Sequence, residues 1–340
     1  MEPVKPTALA LVSGGLDSTL AVRVLLEQGV PLKALHFVSA FSPGKSSAGG
    51  LAARRTMERL GVDLIVKDAM EDMLRFVPEP RFGWGKHLNP CLDCRAHHLS
   101  VAKTMLEDGG ASYVVTGEVL GQRPMSQHRD AMARVERAAG LDGLILRPLS
   151  ALNLEASIPE QRGWVDRAGL LGISGRSRSE QNVLVKKWGL SGFNAPAGGC
   201  LLTDPEVAAR LRDLFAHVPG YTHRDLVLLT IGRHFRLSPS LRVVLGRTRE
   251  ENEKLLALAV PGDTVFMPED FRGPTALAAG DVDSAAEKMI GEIIPAYSQD
   301  DLQACLIRKE VIGGGSSTFN VGQTSSRQEF VALRIGRSQK

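Results

Sequence analysis

The stretch Ser13-Gly14-Gly15-Leu16-Asp17-Ser18-Thr19 constrains the fold of this chain more than any other feature. Before it, Ala8 to Val12 read as a short buried strand. After it, from Ser18 to Gln28, Leu20, Val24 and Leu25 recur at helical spacing. A strand that turns through two glycines directly into a helix presents free N–H groups and the positive end of the helix dipole at one point. The hydroxyls of Ser13, Ser18 and Thr19 add donors, so the loop is predicted to hold a pyrophosphate. Asp17 would repel a bare phosphate and is expected to act through bound Mg²⁺. No Gly-Lys-Ser/Thr closes the loop, which excludes the Walker A pattern.

The pattern that follows keeps alternating. Lys33 to Val38 and Asp63 to Lys67 read as strands, and Leu51 to Leu60 and Ala96 to Glu107 as helices. Tyr113 to Thr116 reads as a strand ending at Gly117. Alternation of this kind predicts an α/β fold, a parallel sheet with helices on both faces. After about Leu152 the composition shifts to Gly, Ser and Arg. Pro205 to Phe215 then reads as a helix capped by Thr203 or Asp204. Beyond Asp225 strand-like runs (Val227 to Ile231, Leu241 to Leu245, Thr264 to Met267) are broken by helices at Arg249 to Leu258 and Ser284 to Ile293. Gly313 to Ser317 reads as a turn or loop, and Phe330 to Ile335 as a last strand. The expected organisation is a catalytic domain over 1–152, an extension over 153–224, and a smaller α+β domain with a tail over 225–340.

Composition excludes several classes. With 43% hydrophobic and 23% charged residues among 340, the chain is not disordered and not a disulfide-dense scaffold. No apolar run approaches the roughly eighteen residues of a membrane span, and the first residues do not read as a secretory signal. A cytoplasmic protein with no membrane partner is expected. The net charge of +3 permits contact with nucleic acid.

A second motif, Thr116-Gly117-Glu118-Val119-Leu120-Gly121-Gln122 with Ser126-Gln127 after it, follows a strand. In an open parallel sheet ligands sit at the carboxyl ends of strands, so Glu118 and Gln122 are expected beside the phosphate loop. The first segment resembles the Ser-Gly-Gly-x-Asp-Ser loop of the PP-loop adenylating ATPases, whose fold is of the adenine nucleotide alpha hydrolase type. The second, with Arg147-Pro148-Leu149, resembles the ThiI-type tRNA sulfurtransferases. Arg123-Pro124-Met125 departs from that family, where small residues are usual. The resemblance runs over about residues 7–150. No counterpart of that family's N-terminal ferredoxin-like and THUMP regions is recognised, so the RNA grip is expected elsewhere in the chain.

Four cysteines occur, and Cys91 and Cys94 form a Cys-x-x-Cys pair. At this spacing both thiols can face one metal or cluster, or act as a dithiol. Cys200 sits after a Gly-rich turn, before a helix, a position that favours thiolate. Cys305 lies in an apolar run and reads as core. Three cysteines beside a PP-loop resemble the iron–sulfur thiouridine synthetases, which implies a [4Fe-4S] cluster on Cys91, Cys94 and Cys200. A persulfide mechanism without a cluster, and a Zn²⁺ site completed by His97 or His98, remain open alternatives. Arg176, Arg178, Lys186 and Lys187 precede Cys200 and are candidates for RNA phosphate contact.

In the last third, Gly246-Arg247-Thr248-Arg249-Glu250-Glu251-Asn252, continuing to Leu255, resembles the Gly-Arg-Asn-x-x-x-Asn-x-x-Leu segment of the NFACT-R RNA-binding module. Gly262-Asp263-Thr264-Val265-Phe266 and Gly273-Pro274 fit it as well. Phe266-Met267-Pro268 departs from the usual Trp-Phe-His. The resemblance implies RNA contact at Arg247 and Asn252.

Together these readings predict an ATP-dependent tRNA sulfurtransferase that makes 4-thiouridine or 2-thiouridine. The family's chemistry implies ATP and Mg²⁺ at Ser13, Gly14, Gly15, Asp17, Ser18 and Thr19, with Gly117 and Gln122 beside them. Glu118 and Gln122 would orient the base, and the three thiols would carry sulfur from a cysteine desulfurase or from sulfide. A homodimer is compatible with the sequence. The alternatives are a PP-loop enzyme acting on a small molecule and a non-catalytic RNA-binding protein.

Overall fold

A computed structural model describes residues 5–42, 50–193, 200–298, 304–322 and 326–336. The first residues of the chain and the Pro196-Ala197-Gly198-Gly199 turn before Cys200 lie outside the described residues. The chain divides into two compact units, Met1–Cys200 and Leu201–Lys340.

The first unit begins with β1 (Ala8–Leu11), α1 (Leu16–Glu27), β2 (Leu32–Val38), α2 (Leu51–Leu60) and β3 (Asp63–Asp68). It continues with α3 (Met70–Phe76), α4 (Cys91–Glu107), β4 (Tyr113–Thr116), α5 (Arg129–Ala139), β5 (Ile145–Leu146), α6 (Ile158–Gln161) and α7 (Ser179–Trp188). Its strands form one parallel sheet in the order β3-β2-β1-β4-β5. Side chains alternate across a strand, and the core follows that period. Ala8 and Ala10 of β1 face a layer with Leu20 and Val24 of α1 and Met57 of α2. Leu9 faces the opposite layer, with Leu99 and Ala102 of α4 and Val135 of α5. Helices thus cover both faces, as the alternation predicts.

The order reverses between β1 and β4. Strand order that reverses leaves a crevice at the carboxyl ends of the two strands, because their following loops diverge to opposite sides. Here those loops are the two sequence motifs. Helix α4 starts five residues earlier than its periodicity suggests, so Cys91 and Cys94 occupy its first turn rather than the approach to it. Helices α3 and α5 are additions to the elements expected from the sequence.

The second unit contains α8 (Pro205–His217), α9 (His223–Leu228), β6 (Arg233–Ser238), β7 (Leu241–Leu245), α10 (Arg249–Leu258), β8 (Thr264–Pro268) and β9 (Ala276–Ala279). It ends with α11 (Ser284–Ala296), β10 (Cys305–Val311), β11 (Ser316–Val321) and a 3-10 turn over Arg327–Leu333. The sheet is antiparallel throughout, in the order β11-β10-β8-β9-β7-β6. Phe235, Val243 and Phe266 pack against Ile290, Ile293 and Ile294 of α11. Val244, Val265 and Leu277 pack against Leu228 of α9 and Leu255 of α10.

Three sequence expectations fail in this unit. The run Val227 to Ile231 is not a strand. Thr222 and Asp225 form a capping box, Thr222 N–H donating to Asp225 Oδ2 at 3.0 Å, and this starts helix α9 through Leu228. Phe330 to Ile335 is not a strand either, because Ser326 and Glu329 cap the 3-10 turn in the same way. Ser316 and Ser317 belong to β11, and only the glycines before them make the turn. Asp204 is the cap of α8, accepting from the Glu206 and Val207 amides at 2.8 and 3.1 Å.

Candidate functional site

The loop between β1 and α1 is tied to itself. Ser18 Oγ and Thr19 Oγ1 donate to the Gly15 carbonyl at 3.0 and 2.9 Å, and the Ser13 and Gly15 amides donate to Ser18 Oγ and Ser13 Oγ. The two helix hydroxyls therefore brace the turn in this arrangement. Gly14 has φ +72°, and a Cβ there would lie 2.9 Å from the Ala53 amide nitrogen, so this position needs glycine.

The second motif lies directly against this loop. A Cβ on Gly117 would collide with the Ser18 backbone, which measures how closely the end of β4 approaches the start of α1. Gln122 Nε2 donates to Asp17 Oδ2 at 2.8 Å. Gln181 of α7 is fully buried, and its Nε2 donates to Gln122 Oε1 at 3.4 Å. Arg178 Nη2 lies 3.6 Å from Asp17 Oδ2. The Gly175 amide donates to the Leu120 carbonyl at 2.7 Å, which draws the Ser174 to Gln181 segment to the crevice. Arg178 thus faces the phosphate loop, while Arg176, Lys186 and Lys187 are exposed. Asp17 Oδ1 is buried and has no hydrogen-bond partner among the described residues. A buried carboxylate oxygen without a partner suits a hard cation, so Asp17 fits Mg²⁺.

Glu118 is 2% exposed and fully engaged. Oε1 accepts from Arg95 Nε, and Oε2 accepts from Arg147 Nε at 2.8 Å and from Thr116 Oγ1 at 3.1 Å. Arg147 also pairs with Glu136 of α5. Burial would raise the pKa of Glu118, but Arg95 and Arg147 outweigh it and hold the carboxyl below its ordinary range. Arg95 follows Cys94 in α4. Glu118 therefore couples the cysteine helix to the end of β4 and to β5. Arg95 and Gln181 are site residues that the motifs alone do not reveal. One directly follows the Cys-x-x-Cys pair, and the other stands three residues after Arg178.

Cys91 and Cys94, three apart on the first turn of α4, share a face. The Cys94 thiol is pushed up to about 12 by burial, with the neighbouring thiols of Cys200 and Cys91 adding to the shift and Arg95 opposing it. The fold thus brings all three cysteines into electrostatic range, across more than a hundred residues of sequence. A helix start usually favours thiolate; at Cys94 burial wins. Cys94 Sγ lies 3.7 Å from His98 Nε2. His98 stacks on Phe37 with centroids 3.9 Å apart, and burial lowers its pKa to about 3, so it is neutral. His97 Nε2 lies 3.0 Å from Asp72 Oδ2. Cys305 is buried in β10.

Soft thiols suit iron or zinc. Among the described residues, however, no three His, Cys, Asp or Glu side chains assemble a group that could hold a metal ion. The donor set fits such a centre in kind but not in arrangement.

Residues 123–125, which depart from the family pattern, reach the loop before α4. The Met125 methyl would lie 2.7 Å from a Cβ on Gly85.

In the second unit Arg247 pairs with Glu251 at 2.7 Å. Asn252 Oδ1 accepts from the Thr275 amide at 3.1 Å, which pins α10 to the start of β9. Arg233 and Arg327 stand 5.0 and 5.3 Å from the Tyr297 ring. Burial, then Arg334, Arg247 and Arg327, lower the pKa of Arg233, so these guanidiniums crowd one region. Arg247 and Arg334 are paired with Glu251 and Glu206, which leaves Arg233 and Arg327 as the cations of this region available to an anion. Arg233 is far in sequence from Arg327 and Arg334, and no local motif marks the three.

Residues 4–160 match the family described as thiamine biosynthesis protein (ThiI). Residues 232–328 match the NFACT protein RNA binding domain. A tRNA sulfurtransferase of Desulfurococcus amylolyticus is 30% identical over 171 residues, 50% of this chain and 34% of the relative. The chain spans about a third of the length of the curated relatives it matches. Among solved structures, a 4-thiouridine synthetase–RNA complex with bound ATP aligns over 59% of this chain and 46% of its own at 20% identity, TM-score 0.43. The U34-tRNA thiolase NcsA of Methanococcus maripaludis, with its [4Fe-4S] cluster, aligns over 65% and 69% at 18% identity, TM-score 0.33.

Proposed function

We propose that this chain, a ThiI-type domain at residues 4–160 joined to an NFACT-type RNA-binding domain at 232–328, uses ATP to thiolate a uridine of tRNA. The observation that carries the reading is the linkage within the first unit. Gln122 touches Asp17 of the phosphate loop, and Glu118 touches Arg95 beside Cys94. This linkage at the carboxyl ends of β1 and β4 supports a reading in which nucleotide activation and sulfur chemistry share one site, as adenylation followed by displacement requires.

In this reading the loop from Ser13 to Thr19 and the start of α1 hold the ATP phosphates. A uridine carbonyl oxygen attacks the α-phosphorus, and pyrophosphate leaves. When bound, Mg²⁺ neutralises charge on the leaving pyrophosphate, and Asp17 Oδ1 is the atom that would hold it. Gln122 and Gln181 fix the Asp17 side chain, and Arg178 adds a positive charge on the same side. Sulfide-level sulfur held at Cys91, Cys94 and Cys200 then attacks the activated carbon and expels AMP. In the persulfide mode a sulfane-sulfur donor loads one thiol and its outer sulfur attacks. A second of these thiols then displaces the inner sulfur to leave a disulfide that an external dithiol reduces. Glu118 positions the cysteine helix through Arg95. The arginines around Tyr297 contact RNA phosphates from the second unit.

The test is a reaction with purified protein, Mg-ATP, unmodified tRNA and a sulfide source. Expected are AMP and pyrophosphate whose formation depends on tRNA, with one thiouridine in the digested RNA. ATP cleavage indifferent to tRNA, without a thionucleoside, would contradict the reading. Iron and acid-labile sulfide analysis of anaerobically purified protein separates the two modes of sulfur carriage. A [4Fe-4S] cluster gives about four irons per chain, and persulfide chemistry gives none.

A further inference from the structure

A cleft lined by Arg81, Phe82, Arg134, Arg137 and Ala138 lies in the first unit, with a volume of about 420 Å³. None of these residues belongs to the phosphate loop, to the 116–127 motif or to the three thiols. The Arg81 and Arg134 guanidiniums stand 5.4 and 5.0 Å from the centre of the Phe82 ring. Arg134 and Arg137 are three apart on the exposed side of α5, opposite the buried Ala131, Met132, Val135 and Ala139. Among the described residues, no carboxylate oxygen lies within 4 Å of the guanidinium nitrogens of Arg81, Arg134 or Arg137. Arg23, Arg95, Arg147 and Arg167 of this unit each have an acidic partner, whereas Arg54, Arg55 and Arg75 have none among the described residues; what sets Arg81, Arg134 and Arg137 apart is that they line one cleft.

Three uncompensated guanidiniums around one recess raise the local potential and favour a ligand with anionic oxygens. The Phe82 ring restricts two of them, so less side-chain freedom is lost when they bind. The recess is also anchored to the sulfur chemistry. Asp93, buried between Cys91 and Cys94, accepts from the Arg81 and Phe82 amides at 2.8 and 3.1 Å. The same loop exposes Trp84, a surface on which an unpaired base can stack.

We propose that this cleft grips a backbone phosphate of the RNA substrate and sets its distance from the Cys91–Cys94 turn. The ligand chemistry is a phosphate oxygen, and the source is RNA rather than free nucleotide. The proposal rests on the reading that RNA is the substrate.

The test uses the full chain and its Arg81→Gln/Arg134→Gln/Arg137→Gln variant. Binding of unmodified tRNA is measured across a salt series, and Mg-ATP binding alongside it. At low salt the variant is expected to bind tRNA on the order of 10- to 100-fold more weakly, and its slope of log affinity against log salt to shrink by about one. Mg-ATP affinity is expected to stay unchanged. All three side chains are exposed, so the fold is expected to survive, and a melting curve checks it. Arg134→Glu alone, a single surface change, is expected to weaken tRNA binding in the same direction and serves if the triple variant misfolds. Unchanged tRNA affinity and slope in a folded variant would overturn the cleft assignment and leave the proposed function standing. Lost ATP affinity with intact tRNA binding would assign the cleft to nucleotide and overturn the proposal. A wild-type chain that binds no tRNA would remove the functional reading itself.

Discussion

Glu118 shows how one buried carboxylate joins two pieces of chemistry. Its oxygens hold Arg95, Arg147 and Thr116, and each of these belongs to a different element or its end. Glu118→Gln would leave Arg147 buried with a weaker partner. Breaking a buried pair costs roughly 3–5 kcal/mol, and the isosteric amide is expected to lose the lower part of that range in urea unfolding. The pH dependence has a definite sign. Because the folded pKa of Glu118 lies below its ordinary 4.5, its contribution is fully present above that value and fades as pH falls through the folded one. Loss of stability on acidification below pH 4.5 is expected to be less steep in Glu118→Gln than in wild type. At the residue scale the Thr-Gly-Glu motif locates Glu118 at the end of β4, while the expected role at the base gives way in the fold to ion pairs with Arg95 and Arg147. The two arginines that occupy it are not legible in the sequence, because Arg95 and Arg147 reach it only through tertiary contact.

Elements meet by close approach, and glycine marks the places. Gly117 lets the end of β4 lie on the first turn of α1. Gly117→Ala is expected to push the two motifs apart and weaken ATP binding by about tenfold or more, measured by calorimetry, in a chain that still folds. In the second unit Asn252 bridges α10 and β9. Asn252→Ala leaves the Thr275 amide short of its acceptor, and a loss of about 1–3 kcal/mol is expected. The parallel sheet is readable because strands buried on both faces are short continuous apolar runs separated by helical ones. The run Val227 to Ile231 has the same apolar, β-branched look. Its helix is decided by the Thr222–Asp225 capping box, a stronger local instruction than composition. The strands β9 and β11 escape a sequence reading because Ala276–Ala279 and Ser316–Val321 carry little apolar contrast. Cys91, Cys94 and Cys200 group by their chemistry. Burial chiefly raises the Cys94 thiol and Cys200 and Cys91 add to it, but the described residues do not close the three into a metal site.

At the scale of the whole molecule, the chain divides into Met1–Cys200, which holds the match to the ThiI family, and Leu201–Lys340, which holds the match to the NFACT RNA binding domain. Residues 201–340, expressed alone, are expected to fold and to bind tRNA with strong salt dependence, measured by circular dichroism and anisotropy. That unit also carries its own acid sensitivity. His234 is fully buried, with Nε2 3.0 Å from the Leu228 and Ile231 carbonyls, and burial holds its pKa well below 6.5. A histidine kept neutral in the fold gains a proton only on unfolding. Its contribution is full above about pH 6.5 and declines as pH falls below it. No helix among the described residues is long and apolar enough to cross a membrane.

Uridine thiolation is tested by nucleoside mass spectrometry of tRNA from cells lacking this gene. Loss of one thiouridine, restored by the wild-type chain and not by Cys200→Ala, is the expected result. A thionucleoside profile identical to that of the parent, with no thiouridine lost, would contradict the claim and direct attention to another acceptor for the same ATP chemistry.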